Sequence, residues 1–102
     1  MKKIVLVSMV KNEADIIESF VRHSLTYADE LIVADHQSSD ATWDILQKLR
    51  AEGLPLTLHR LYRVELAHRE VMNRLTREAI TEHGAELVLP FDADEFLVND
   101  EN

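Results

Sequence analysis

Apolar residues in this chain follow two alternating patterns. Short, mostly apolar runs occupy residues 4–9, 31–34, 56–58 and 87–91, rich in Ile, Leu and Val and without helical spacing. Runs of that length and make-up are expected of strands covered on both faces. Between them the apolar positions recur every three or four residues: Ile16, Ile17, Phe20, Val21 and Leu25, then Trp43, Leu46 and Leu49, then Met72, Leu75, Ala79 and Ile80. That spacing predicts three amphipathic helices. Asn12 is the expected cap of the first, with Glu13 and Asp15 in its opening turn, and Ser39 or Asp40 the expected cap of the second. Gly53 and Pro55 close the second helix, and Gly84 stops a third that spans about residues 66–83. Pro90 has no N–H to donate, so it belongs near the end of the fourth strand or on an unpaired side.

The resulting order, β-α-β-α-β-α-β, contains no internal repeat, low-complexity tract or linker, and predicts a single α/β domain over residues 1–102 with a mostly parallel sheet. Ligands of such sheets sit beyond the carboxyl ends of the strands. This selects residues 8–13, 35–40 and 92–95 as the ones to weigh for chemistry.

Composition narrows the partners. The chain has 102 residues, 46% hydrophobic and 29% charged, with 2 Gly and 2 Pro, as expected of a folded domain. Nineteen acidic against 11 basic residues give a net charge of -8, which removes electrostatic support for binding a nucleic-acid backbone. An anionic ligand then needs a metal or local backbone dipoles. Cysteine is absent, which excludes disulfides and thiolate chemistry. The apolar run after Lys2 and Lys3 is broken by Ser8 and followed by Lys11, so it reads as a buried strand and not as a leader. No run approaches the ~18 apolar residues of a membrane span, and the cytoplasm is the expected location.

Asp92 and Asp94 stand two apart at a strand end, so in an extended backbone both carboxylates point to the same side. At about 5 Å they repel by roughly 3 kcal/mol at an effective dielectric near 20, and a divalent cation turns that repulsion into attraction. Paired hard oxygen ligands suit Mg²⁺ or Mn²⁺. The alternative is a solvated acidic turn, which is the preferred reading for Glu95, Asp100 and Glu101. Asp35, ending the second apolar run, either accepts a hydrogen bond from a base N–H or ribose hydroxyl, or starts the turn into the next helix. His23, His36, His59, His68 and His83 show no metal-ligand spacing, and are expected at the surface or at helix ends, with His36 notable for adjoining Asp35. No nucleophile elbow, G-x-G-x-x-G or phosphate loop is present.

Three stretches in order carry a family resemblance: Val7-Ser8-Met9-Val10-Lys11-Asn12-Glu13, Ile32-Val33-Ala34-Asp35-His36-Gln37-Ser38-Ser39-Asp40-Ala41-Thr42, and Leu89-Pro90-Phe91-Asp92-Ala93-Asp94-Glu95-Phe96. Together they resemble the N-terminal signature of family 2 glycosyltransferases of the GT-A fold. The resemblance implies a Rossmann-like half of that fold, with a four-stranded, mostly parallel sheet of order 3-2-1-4 and helices on both faces. It implies a nucleotide-sugar donor, most readily a UDP-sugar, with Asp35 on the base and Ser8, Val10 and Glu13 bordering it. Asp92 then meets the ribose and metal region, and Asp94 the Mn²⁺ or Mg²⁺ ion. In the complete enzyme the ion would neutralise the leaving diphosphate while a base activates an acceptor hydroxyl.

The chain departs from the family at His36-Gln37, where Asp-Gly or Asn-Asn is usual, and at Met72-Asn73, where Arg-Asn is common, with Arg69 one turn earlier. Family members continue well past the D-x-D into an acceptor half, so the chain is expected to be a donor-binding fragment without catalytic base or turnover. A half domain of that kind would tend to self-associate through the surface its missing half covers. The rival readings are a nucleotide-binding module without catalysis and a receiver-like signalling domain. The latter needs acids after strands one and three, where this chain has Val10 and His59.

The D-x-D spacing carries a direct expectation. Asp94→Asn abolishes Mn²⁺-dependent nucleotide binding in a calorimetric titration, whereas Asp100→Asn leaves it within a few-fold; equal losses would reduce the acidic segment to bulk charge.

Overall fold

A computed structural model of the chain describes residues 2–62 and 67–91. Four strands, β1 (Ile4–Val10), β2 (Glu30–His36), β3 (Leu56–Leu61) and β4 (Leu87–Pro90), alternate with three helices, α1 (Ile17–Ser24), α2 (Thr42–Ala51) and α3 (His68–Thr81). The strands form one sheet of order β3-β2-β1-β4 in which every described pairing is parallel. This is the α/β, Rossmann-like arrangement expected from the sequence.

Alternation along the strands builds two cores, since successive side chains leave opposite faces of a sheet. Leu6 and Val10 of β1, Leu31 and Val33 of β2 and Leu56 of β3 pack under Ile17, Phe20 and Val21 of α1 and Leu46 and Leu49 of α2. Val5, Val7, Ile32 and Ala34 face the other way and meet Val71, Met72, Leu75 and Ala79 of α3. The central strands therefore need apolar residues at nearly every position, which is why they read as mostly apolar runs without helical spacing. Phe20, fully buried, also stacks on Phe91 just past β4, with ring centroids 6.4 Å apart.

Several boundaries move for physical reasons. Asn12 does not cap α1: it adopts φ 52°, and a turn closed by Ile16 and Ile17 N–H on the Glu13 carbonyl precedes a helix that begins only at Ile17. Asp40 does act at the start of α2, although Ala41 holds the cap position: its Oδ1 accepts the Thr42 N–H at 2.9 Å. β2 extends through Asp35, which pairs across β1 with Val10 and across β3 with Arg60. In α3 the inner face includes Val71, whereas Ile80 is 53% exposed and not part of it. Pro90 is tolerated because β4 is an edge strand: Phe91 N–H donates to Val7 O, so alternation turns the Pro90 nitrogen away from β1.

At the amino end of the sheet, charged groups remote in sequence meet. Lys3 Nζ lies 2.5 Å from Glu30 Oε2, His83 Nδ1 2.7 Å from Glu30 Oε1, and Glu78 stands between His83 Nε2 (3.4 Å) and His59 Nε2 (2.8 Å). These contacts tie the entry to β1, the start of β2, the edge strand β3 and the end of α3. Two of the histidines are thus joined to carboxylates in a chain that their sequence spacing did not reveal.

Burial pushes the Glu30 carboxyl upward, but hydrogen bonds from Lys3 and His83 outweigh it and hold Glu30 below its ordinary value of 4.5. A carboxylate lowered on folding stabilises the fold above its unfolded value, and that contribution disappears as pH falls through the folded one. Acid titration of the unfolding free energy should therefore show a steeper decline below about pH 4.5 in the unaltered protein than in Glu30→Gln. Parallel curves would mean that the Lys3–Glu30–His83 contacts contribute nothing to folding.

Candidate functional site at the carboxyl edge

The parallel register of β1 and β2 ends both strands side by side, so the loop after Val10 and the loop after His36 run next to each other. They are fastened by side chains. Asn12 Oδ1 accepts the N–H groups of Ser39 (2.8 Å) and Asp40 (3.3 Å), and the Asn12 N–H donates to Ser38 Oγ at 2.9 Å. Glu13 N–H donates to Thr42 Oγ1 at 2.9 Å, and Ala14 N–H to Asp40 Oδ2 at 3.2 Å. The Thr42 hydroxyl, donating to Asp40 Oδ1, holds the Asp40 carboxyl below its usual range, with smaller help from backbone N–H groups. Asn12 tolerates its left-handed backbone because a short polar side chain reduces the usual penalty there.

Beneath this clasp lies Asp35, with no exposed surface. Its Oδ1 accepts two bonds from the same residue, the Ser38 N–H at 3.1 Å and the Ser38 hydroxyl at 2.5 Å. Its Oδ2 is buried and has no hydrogen-bond partner among the described residues, and neither does the buried hydroxyl of Ser8 on the same sheet face. Leaving a buried carboxylate oxygen unpaired is costly, and native structures seldom do so without a water, ion or ligand to meet it. Both readings of Asp35 open at the sequence level therefore have a counterpart: one oxygen serves the turn, the other has an unmet requirement. Arg60, opposite Asp35 on β3, places its guanidinium 5.3 Å from the centre of the Trp43 ring, with Nη2 3.4 Å from Ser38 O. Gln37, at φ 57°, donates through Nε2 to Tyr62 O.

The other expected site residues fall as follows. Ser8 is fully buried on β1, Val10 is 3% exposed and belongs to the α1/α2 core, and Glu13 is half-buried with its backbone fixed by Thr42. Asp92 and Asp94, the expected metal pair, lie outside the described residues. Among the described residues no group of three or more His, Cys, Asp or Glu is placed to hold a metal ion. On the opposite face of the sheet a cavity of about 360 Å³ is lined by His68, Arg69, Met72, Asn73, Thr76, Pro90 and Phe91, at the point where the chain leads into Asp92. Arg69 is exposed there and lines this cavity.

Sequence reasoning missed Asn12 and Ser38 as organisers of the site. The only local signal was an Asn directly after a strand, a residue type enriched in left-handed backbone; the partners 26 and 27 positions away gave none. No protein-family model matches the chain, and no curated protein matches it. No helix among the described residues is long and apolar enough to cross a membrane.

Ser38 joins the Asn12 N–H to Asp35 Oδ1 in a buried position, whereas among the described residues the Ser39 hydroxyl reaches only Asn12 Oδ1, at 3.4 Å and from an exposed position. Urea unfolding should thus show Ser38→Ala less stable by about 1–3 kcal/mol, the cost of stranding buried polar partners, and Ser39→Ala changed by less than about 0.5 kcal/mol. Equal effects would mean that the relay to Asp35 is not a structural link.

Proposed function

We propose that the chain is the donor-binding part of a family 2 glycosyltransferase, holding the nucleoside diphosphate of a nucleotide-sugar, preferably a UDP-sugar, along the carboxyl edge of its sheet. The observation that carries this reading is Asp35: a carboxylate at the end of a central strand, committed through one oxygen and, among the described residues, unpartnered through the other. A base N–H or ribose hydroxyl supplies the donor that Oδ2 lacks. The position agrees with the general rule for ligands of open parallel sheets. It also agrees with the resemblance of the three sequence stretches, two of which are hydrogen-bonded to each other around Asp35.

In this reading Asp35 takes the base, Ser8, Val10 and Glu13 border it, and Asp92 stands by the ribose. Asp92 and Asp94 would hold Mn²⁺ or Mg²⁺, which when bound supplies positive charge against the diphosphate. With a net charge of -8, the chain's own long-range field opposes that anion. Asp35 Oδ2 is shut off from solvent, so a base reaches it only when a neighbouring side chain moves; of its cross-strand neighbours Val10 and Arg60, Arg60 has the long rotatable one. In the full-length enzyme the sugar passes to an acceptor hydroxyl. A cytoplasmic location is part of the same proposal.

Thermal melts test it. A ligand bound only by the folded state adds about 2.7 kcal/mol at one hundred times its dissociation constant, which is roughly 10–20 °C for a domain of this size at ~4–8 °C per kcal/mol. Mn²⁺ and uridine diphosphate together should raise Tm by more than the sum of their separate effects, and chelator should reverse the excess. Merely additive shifts would remove a metal-bridged donor site from the reading.

A further inference from the structure

We propose that Asn12, acting through Ser38, is a positioning residue that sets the base preference of this site in favour of uracil over guanine. The inference rests on the reading of Asp35 as the base acceptor. The Asn12 N–H fills an acceptor position on Ser38 Oγ, and the single hydroxyl proton of Ser38 is then given to Asp35 Oδ1. The Ser38 N–H points to that same oxygen. Oδ1 is thereby occupied by two protein donors, and Oδ2, which has no partner among the described residues, remains the acceptor on offer. Asn12 Oδ1 fixes the arrangement from the far side by holding the Ser39 and Asp40 amides.

A carboxylate with one open oxygen matches a base edge with one ring N–H. Uracil offers a single N–H between two carbonyls. Guanine offers a ring N–H and a parallel amino N–H, a pair whose bidentate partner is a carboxylate with both oxygens open. Guanine at this site leaves one donor facing an oxygen already occupied, and unpaired polar groups in a buried site are what give such selection its strength.

Calorimetric titrations of uridine diphosphate, guanosine diphosphate and inorganic pyrophosphate, each with Mg²⁺, decide the matter. The unaltered protein should bind the uridine nucleotide about tenfold or more tightly than the guanosine one. Asn12→Gly keeps the left-handed backbone and the N–H given to Ser38 but loses the carboxamide oxygen that holds the Ser39 and Asp40 amides, and Ser38→Ala removes the relay. Both should shrink that ratio to within about threefold and leave pyrophosphate unchanged. Asn12→Asp, which retains Oδ1, should keep the ratio. Amide exchange at Ser39 and Asp40 reports whether the clasp has opened in each folded variant, and should Asn12→Gly not fold, Ser38→Ala and Asn12→Asp carry the test. Equal affinity of the unaltered protein for both nucleotides overturns the base preference, and an unchanged ratio in Asn12→Gly and Ser38→Ala overturns the positioning role; in both cases the donor-site reading stands. Parallel weakening of all three ligands makes Asn12 merely structural. No nucleotide binding by the unaltered protein removes the donor site itself, and this inference with it.

Discussion

The carboxyl edge of this domain depends on the hydrogen bonds that Asn12 makes to the loop after β2. Parallel pairing of β1 with β2 brings two chain reversals to the same place, and each leaves backbone N–H groups that neither strand nor helix can satisfy. Asn12 meets this on both sides: its carboxamide oxygen takes the Ser39 and Asp40 amides, and its own N–H is taken by Ser38. It does both with its backbone in the left-handed region, at φ 52°. Thr42 and Asp40 complete the fastening from the α2 side, so the first turn of that helix is anchored to the loop that follows β1.

That fastening has a consequence for Asp35. A carboxylate buried between Val10 and Arg60 in the sheet is an expensive feature unless its oxygens are met, and the described residues meet only one of them. Elsewhere the molecule handles charge differently. At the amino end Glu30 meets Lys3 and His83, and Glu78 links His83 on to His59 midway along β3, so the pattern is one of mutual satisfaction. The contrast between the two ends of the same sheet is the physical ground for placing ligand chemistry at one and structural pairing at the other.

The strands and helices were legible because burial on both faces leaves a plain imprint: mostly apolar runs for the central strands and three- or four-residue spacing for the helices that cover them. Asp35 was legible by the same logic, as the first charge after such a run. What escaped was whatever depended on pairs far apart in the chain. Asn12 looked like a helix cap because caps are local, and its partners at Ser38 to Asp40 are not. Ile80 fits the apolar stripe of α3 by spacing, yet it is exposed, one position off the buried line of Val71, Met72, Leu75 and Ala79. The D-x-D pair lies outside the described residues, so its part in the account comes from spacing and resemblance alone.

The most direct test of the central claim, that ligand is held at the carboxyl edge around Asp35, is to follow backbone amide resonances of the labelled chain during titration with uridine diphosphate and Mg²⁺. The account predicts changes concentrated at Ser8, Asn12, Asp35 and Ser38, with Lys3, Glu30 and His83 at the far end of the sheet unmoved. Changes centred on that far end, or none at saturating nucleotide, would contradict it.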